Sequence, residues 1–152
     1  MINKKYLKNL RSKETNKEND FIFDLYNERI IDSLDIINVN FKKILILGNH
    51  GKKITKFIHE KYKDNSLTIY DLSLNCFDLD DWEKEKEKYD LIISNFYLFL
   101  SENLDNLFQK IINSLNSNGF FIATMPTKEN FNSLKEAMIK TDIELYGGAY
   151  NR

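Results

Sequence analysis

Three short, wholly apolar runs constrain the fold of this chain more than any other feature. Ile44-Leu45-Ile46-Leu47, Leu91-Ile92-Ile93 and Phe120-Phe121-Ile122-Ala123 are too short to be helices and show no polar alternation. A strand with one face in water alternates apolar and polar residues. A strand apolar at every position needs cover on both faces, which parallel sheets with helices on both sides provide. Leu67-Thr68-Ile69-Tyr70 reads as another strand, ending at Asp71.

Helical patterns fall between these runs. A helix is expected to start at Asn19 or Asp20, with an apolar stripe of Phe23, Tyr26, Ile30, Leu34 and Ile37. Ile54, Phe57, Ile58 and Tyr62 mark a second helix. Leu104, Leu107, Phe108, Ile111, Ile112 and Leu115 mark a third, closed by Asn118-Gly119 through a residue able to adopt positive φ. A last helix runs through Phe131, Leu134 and Met138, and Ile143-Glu144-Leu145 reads as a short extended piece before Gly147-Gly148. Strands alternating with helices predict right-handed crossovers. The expected fold class is therefore α/β, a Rossmann-like, doubly wound, mostly parallel sheet. Residues 1–19 read as a polar arm and 20–152 as one domain, without repeats or linkers.

Composition narrows the function classes. The 152 residues carry a net charge of −1, so the cationic field of general nucleic-acid binding is missing. With two histidines nine residues apart and one cysteine, Cys76, a Cys/His zinc site is not expected, and no metal is assigned. The lone cysteine fits a reducing compartment. No apolar run reaches the ~20 residues of a membrane span. The Lys-rich start has no apolar core of a signal peptide and is not Arg- and Ser-rich. A cytoplasmic location is expected, with the mitochondrial matrix as the second choice. The alternating Glu83 to Lys88 tract reads as a solvated face.

Ligands of doubly wound sheets sit beyond the carboxyl ends of the strands, where the strand order switches. The residues at those ends are Gly48, Asn49, His50 and Gly51, then Asp71, then Ser94 and Asn95. A glycine after a buried strand lets backbone approach a ligand closely, and the following helix points its N-terminus at the same place. A carboxylate ending the next strand can accept both hydroxyls of a ribose. Taken alone, Gly48 and Asp71 read first as a tight turn and a surface Asp capping a helix or loop, and second as a nucleoside site. A Walker phosphate loop does not fit, because Ile46 stands where its first glycine is required and Lys53 where Ser or Thr is required. Phe96, Tyr97 and Phe99 read as core packing before they read as a pocket wall.

Taken in order, several strings resemble one family. Asp20-Phe21-Ile22-Phe23 with Glu28-Arg29-Ile30, Tyr89 to Asn95, Leu115 to Ala123, and Glu144 to Gly148 look like segments of class I S-adenosylmethionine (SAM)-dependent methyltransferases. The likeness is to the branch of the mitochondrial complex I assembly factor that hydroxylates arginine. The malonyl-carrier-protein methyltransferase of biotin synthesis is a more distant relative. The resemblance implies SAM as cofactor, held by the Gly48–Gly51 loop, by Asp71 and Leu72 at the ribose, and by Asp78 and Leu79 beside the adenine, with Ser94 and Asn95 at the next strand end. It also frays. Ile46 replaces the acidic residue of the loop, and His50 and Lys52 fall where glycines belong. The interval from Asp71 to Asp90 is too short for the usual extra helix and strand, so a sheet reduced in strand number is expected. The family's His, Trp and Asp after the strand at Leu91-Ile92-Ile93 are replaced within Leu98 to Asn103.

The expected function is thus a methyltransferase-like domain, a transferase by descent, with catalysis weakened or lost. A pseudoenzyme that serves as a protein-interaction or assembly module is the second reading. Protein arginine hydroxylation is the third, although no 2-His-1-carboxylate set is legible. A protein partner or protein substrate would be implied, and no catalytic residue is assigned.

Overall fold

The computed structural model describes residues 21–48, 52–71, 77–82 and 87–148. In chain order these form α1 (Phe21–Asp35), β1 (Lys43–Leu47), α2 (Lys53–Lys61), β2 (Ser66–Tyr70), β3 (Tyr89–Asn95), a 3-10 turn (Leu98–Leu100), α3 (Leu104–Ser114), β4 (Leu115–Thr124), a second 3-10 turn (Lys128–Phe131) and α4 (Asn132–Tyr146). Every strand pairing is parallel, and the order across the four-stranded sheet is β2-β1-β3-β4. The expected α/β doubly wound sheet is present, in reduced form. The chain leaves β1 toward one edge to make β2, then returns past β1 to make β3. The order therefore reverses between β1 and β3.

The apolar runs of β1 and β3 are explained by two cores, one on each face of the sheet, whereas Phe120 in the edge strand β4 is exposed. Ile44, Ile46, Leu91 and Ile93 point to one side and pack with Ile30 and Leu34 of α1 and Ile54 and Ile58 of α2. Leu45, Leu47 and Ile92 point to the other and pack with Leu107 and Ile111 of α3, together with Trp82, Tyr97 and Leu98. Period-two geometry sends neighbouring side chains to opposite faces, so a strand buried on both faces must be apolar throughout. Each fully buried Leu or Ile contributes ~1.5–3 kcal/mol relative to exposure.

Two local expectations are overturned. Asn118-Gly119 does not close α3; that helix ends at Ser114, and both residues lie within β4. The register passes from Tyr89↔Leu115 to Leu91↔Phe120, so β4 bulges there. A Cβ on Gly119 would come within 3.0 Å of both Tyr89 O and Asn116 O, so glycine is required for close approach rather than for positive φ. Ile143-Glu144-Leu145 is not extended but belongs to α4, which continues until Gly147 ends it at φ +69°. The proposed N-terminal arm lies outside the described residues, as do Asn19 and Asp20.

At the amino ends of the strands Asp90 acts as a clamp. Its Oδ2 accepts the backbone N–H groups of Lys42 (3.0 Å) and Lys43 (2.9 Å), and its Oδ1 accepts the Asn116 side-chain amide at 2.6 Å. Burial works against its ionisation, yet the Lys43 amide, Asn116 and the Lys42 amide outweigh it and hold the carboxyl below its usual range. A cavity of about 500 Å³ opens at this end, lined by Val39 to Lys42, Asp90 and Asn116 to Asn118. It lies at the wrong end of a doubly wound sheet for a ligand site. The carboxylate in its lining, Asp90, is already committed to the strands.

Candidate functional site at the switch point

The carboxyl ends of β1, β2 and β3 converge where the order reverses. Gly48 follows β1 at φ +81°, a conformation that side-chain-bearing residues rarely adopt, and its N–H donates to Tyr70 O at 2.7 Å. That bond fastens the end of β1 to the end of β2, immediately before Asp71. Asp71 is buried, 1% exposed, and is engaged by a partner of its own. Gly48 and Asp71 therefore follow adjacent, mutually fastened strand ends. Asn49, His50, Gly51 and Leu72 lie outside the described residues, as does Cys76.

Ser94 and Asn95 are also at this end, but their polar atoms serve the scaffold. Ser94 Oγ donates to Leu47 O at 3.2 Å, tying β3 to β1. The Asn95 amide donates to Asn27 Oδ1 at 2.7 Å and to Phe23 O at 3.1 Å, and its carbonyl accepts from the Thr124 hydroxyl. One side chain thus joins α1, β3 and β4. Asn27 and Thr124 were missed by sequence reasoning. The signal for Asn27 was a polar residue four positions after Phe23 and three before Ile30, on the buried face of the α1 stripe.

The segment after β2 is aromatic. Phe77 stacks on Tyr70 with centroids 4.2 Å apart and planes 13° from parallel, and Trp82 stands edge-on to both. Leu79 is buried in the same cluster, whereas Asp78 turns its Oδ1 back to the Asp80 N–H at 3.0 Å. Asp80, also missed, fixes this segment to the start of α3. It accepts from Ser101 Oγ at 2.6 Å and from the Glu102 N–H at 3.1 Å, and its carbonyl accepts Lys110 Nζ at 2.9 Å.

Tyr97 crosses between these parts. It is 1% exposed, and its hydroxyl donates to Phe77 O at 3.1 Å. A Cβ placed on Gly48 would lie 2.6 Å from Cγ and Cδ2 of its ring. The core-packing reading of Tyr97 holds, while Phe99 is 39% exposed. Nearby, Lys53 at the start of α2 pairs with Glu28 (2.8 Å) and Asp24 (3.5 Å) of α1. The hydrogen bond from Lys53 holds Glu28 below the usual carboxylate range, and Lys53 is correspondingly raised by Glu28. His59 is exposed on α2, and no group of three or more metal-ligating side chains occurs among the described residues.

The architecture has counterparts of known structure. The plantazolicin methyltransferase BpumL, solved with S-adenosylhomocysteine (SAH) and a monoazolic desmethylPZN analog, superposes with a TM-score of 0.56 at 18% identity, covering 92% of this chain and 57% of that one. BpumL with a pentazolic analog and SAH gives 0.53 at 14% identity, covering 86% and 66%. Phosphoethanolamine N-methyltransferase 2 of Haemonchus contortus, with phosphomonomethylethanolamine and SAH, gives 0.50 at 19% identity, covering 79% and 28%. The fold is that of SAM-dependent methyltransferases. This chain spans two thirds or less of the length of these structures. No family model and no curated protein matches its sequence. No helix among the described residues is long and apolar enough to cross a membrane.

Proposed function

We propose that this chain is a methyltransferase-like domain whose switch-point crevice binds SAM or SAH weakly, with catalysis weakened or lost. The observation that carries the reading is the fastening of Gly48 to Tyr70, which sets a φ +81° glycine at the strand end next to the one that Asp71 follows. That frame fits a nucleoside: bare backbone for close approach on one strand end, and a hydroxyl-binding carboxylate on the next. Leu79 and the Tyr70–Phe77 stack supply apolar surface beside it, as an adenine requires. Bound SAM would supply a sulfonium methyl group open to in-line attack, chemistry that asks mainly for placement from the protein.

The weakness follows from the same residues. The Gly48 backbone is covered by Tyr97, so binding has to displace a packed ring. The Ser94 hydroxyl and Asn95 amide are committed to Leu47 and to α1, which leaves neither ready to relay a proton. A protein with this frame should bind SAH with low affinity, because only the fraction with the ring displaced is competent. Calorimetric titration with SAH tests it. Weak saturable binding that disappears in Asp71→Ala and in the near-isosteric Asp71→Asn, both still folded by circular dichroism, is the expected result. Absence of heat at millimolar SAH would refute the reading.

The second reading, a non-catalytic interaction module on the same scaffold, draws support from α4. Leu134, Met138, Ile139 and Ile143 of this helix are between 36% and 58% exposed. Monomodal sedimentation of the purified protein as a monomer, with no partner retained from its native source, would count against it.

A further inference from the structure

We propose that Tyr97 is a built-in stopper of the crevice, holding the place that the nucleoside of the ligand must take; this rests on the assignment of the switch point as the SAM or SAH site. At a doubly wound switch point, a bare glycine exposes backbone so that a ligand can come close. Here the Tyr97 ring lies against Gly48, with three of its carbons, Cβ, Cγ and Cδ2, within 2.7 Å of where a Cβ would be. The chain's own aromatic residue uses the access that the glycine creates.

The ring is aimed from outside the crevice. Phe96, the residue before it, has φ +48°, a conformation that costs a bulky side chain ~1–3 kcal/mol and persists only when its surroundings impose it. Those surroundings are visible. The Phe96 ring sits edge-on to Tyr26 at 4.7 Å and to Phe23 at 5.9 Å, and its N–H donates to Thr124 O at 3.0 Å. Contacts with α1 and β4 thus turn the backbone so that Tyr97 faces Gly48. Its far end is held by a latch, the bond from its hydroxyl to Phe77 O. Phe77 stacks on Tyr70, and Tyr70 O accepts the Gly48 N–H, so the latch closes a loop across β1, β2 and β3. A ligand lying across the ends of β1 and β2 has to open it.

The only tryptophan of the chain reports on this loop. Trp82 is buried and edge-on to Phe77 at 6.0 Å and Tyr70 at 6.4 Å, so its emission responds to any disturbance of the stack. SAH is titrated into the wild-type chain, Tyr97→Phe and Tyr97→Ala, reading Trp82 emission and, in parallel, heat. Tyr97→Phe keeps the ring and removes only the latch; it should bind SAH about fivefold more tightly, the worth of one hydrogen bond. Tyr97→Ala removes the stopper and should bind more than tenfold more tightly than wild type. If Tyr97→Ala fails to fold, the nearly isosteric Tyr97→Phe decides alone. Wild-type binding with affinity unchanged or weaker in Tyr97→Phe overturns the stopper and leaves the site standing. No binding by any folded member of the set overturns both the site and its stopper.

Discussion

Asp90, half-buried, and Asp71, fully buried, show how differently two aspartates can be used in one sheet. Asp90 is consumed at the amino ends of three strands, where two backbone amides and Asn116 surround it. Because these bonds favour the ionised form, its pKa in the folded state lies below the ordinary value of 3.8. Folding stability from this group is therefore complete above that value and is lost as pH falls through the depressed one. Asp90→Ala should destabilise the protein by about 1 kcal/mol at neutral pH, since hydrogen bonds to a charged group are lost where water can reach the freed amides. It should also flatten the acid limb of the stability curve below about pH 4. Urea unfolding at a series of pH values measures both; an unchanged acid limb would contradict the clamp. Sequence patterns gave this residue no role, because an Asp near a strand start carries no periodic signal and its partners come from remote segments. Asp71 was legible because it ends a strand one crossover after a glycine. Ser94 and Asn95 were legible as strand-end residues, but not their bonds to Leu47 and α1, which depend on how α1 packs.

At the scale of elements, the strands were read well and the helix ends less so. Apolar runs announce two-faced burial directly, which is why β1 and β3 fall where Ile44–Leu47 and Leu91–Ile93 place them. Asn118-Gly119 has the chemistry of a helix end but serves a bulge, and only the approach of Tyr89 O explains it. The carboxyl end of α1 uses a device equally invisible in one dimension. Lys61, from α2, donates to Leu34 O at 2.8 Å, Asp35 O at 2.9 Å and Asp35 Oδ1 at 3.2 Å. A cation there meets the unpaired carbonyls and the negative end of the helix dipole. Lys61→Met keeps an unbranched apolar stem and removes the charge, together with the position of Nζ over the Phe57 and Tyr62 rings. It should cost about 1 kcal/mol and speed amide exchange in the last turn of α1 while β1 stays protected. Equal acceleration in both elements would mean that Lys61 acts globally rather than as a cap.

For the molecule as a whole, the sheet has two distinct ends, and the account assigns them opposite roles. The amino end carries the Asp90 clamp and an open cavity; the carboxyl end carries Gly48, Asp71, the Tyr70–Phe77 stack and Tyr97. The physics of doubly wound sheets favours the second as the ligand site. Solved methyltransferases share the fold at 14–19% identity, a level that fixes architecture and leaves the ligand to be argued from this chain's own residues. Mapping amide and indole chemical shifts of the isotope-labelled protein during SAH addition compares the two ends in one experiment. The account predicts saturable shifts at Gly48, Asp71, Ser94 to Tyr97 and the Trp82 indole, with Lys42, Asp90 and Asn116 unmoved. Shifts confined to Lys42, Asp90 and Asn116, or none at either end, would contradict it.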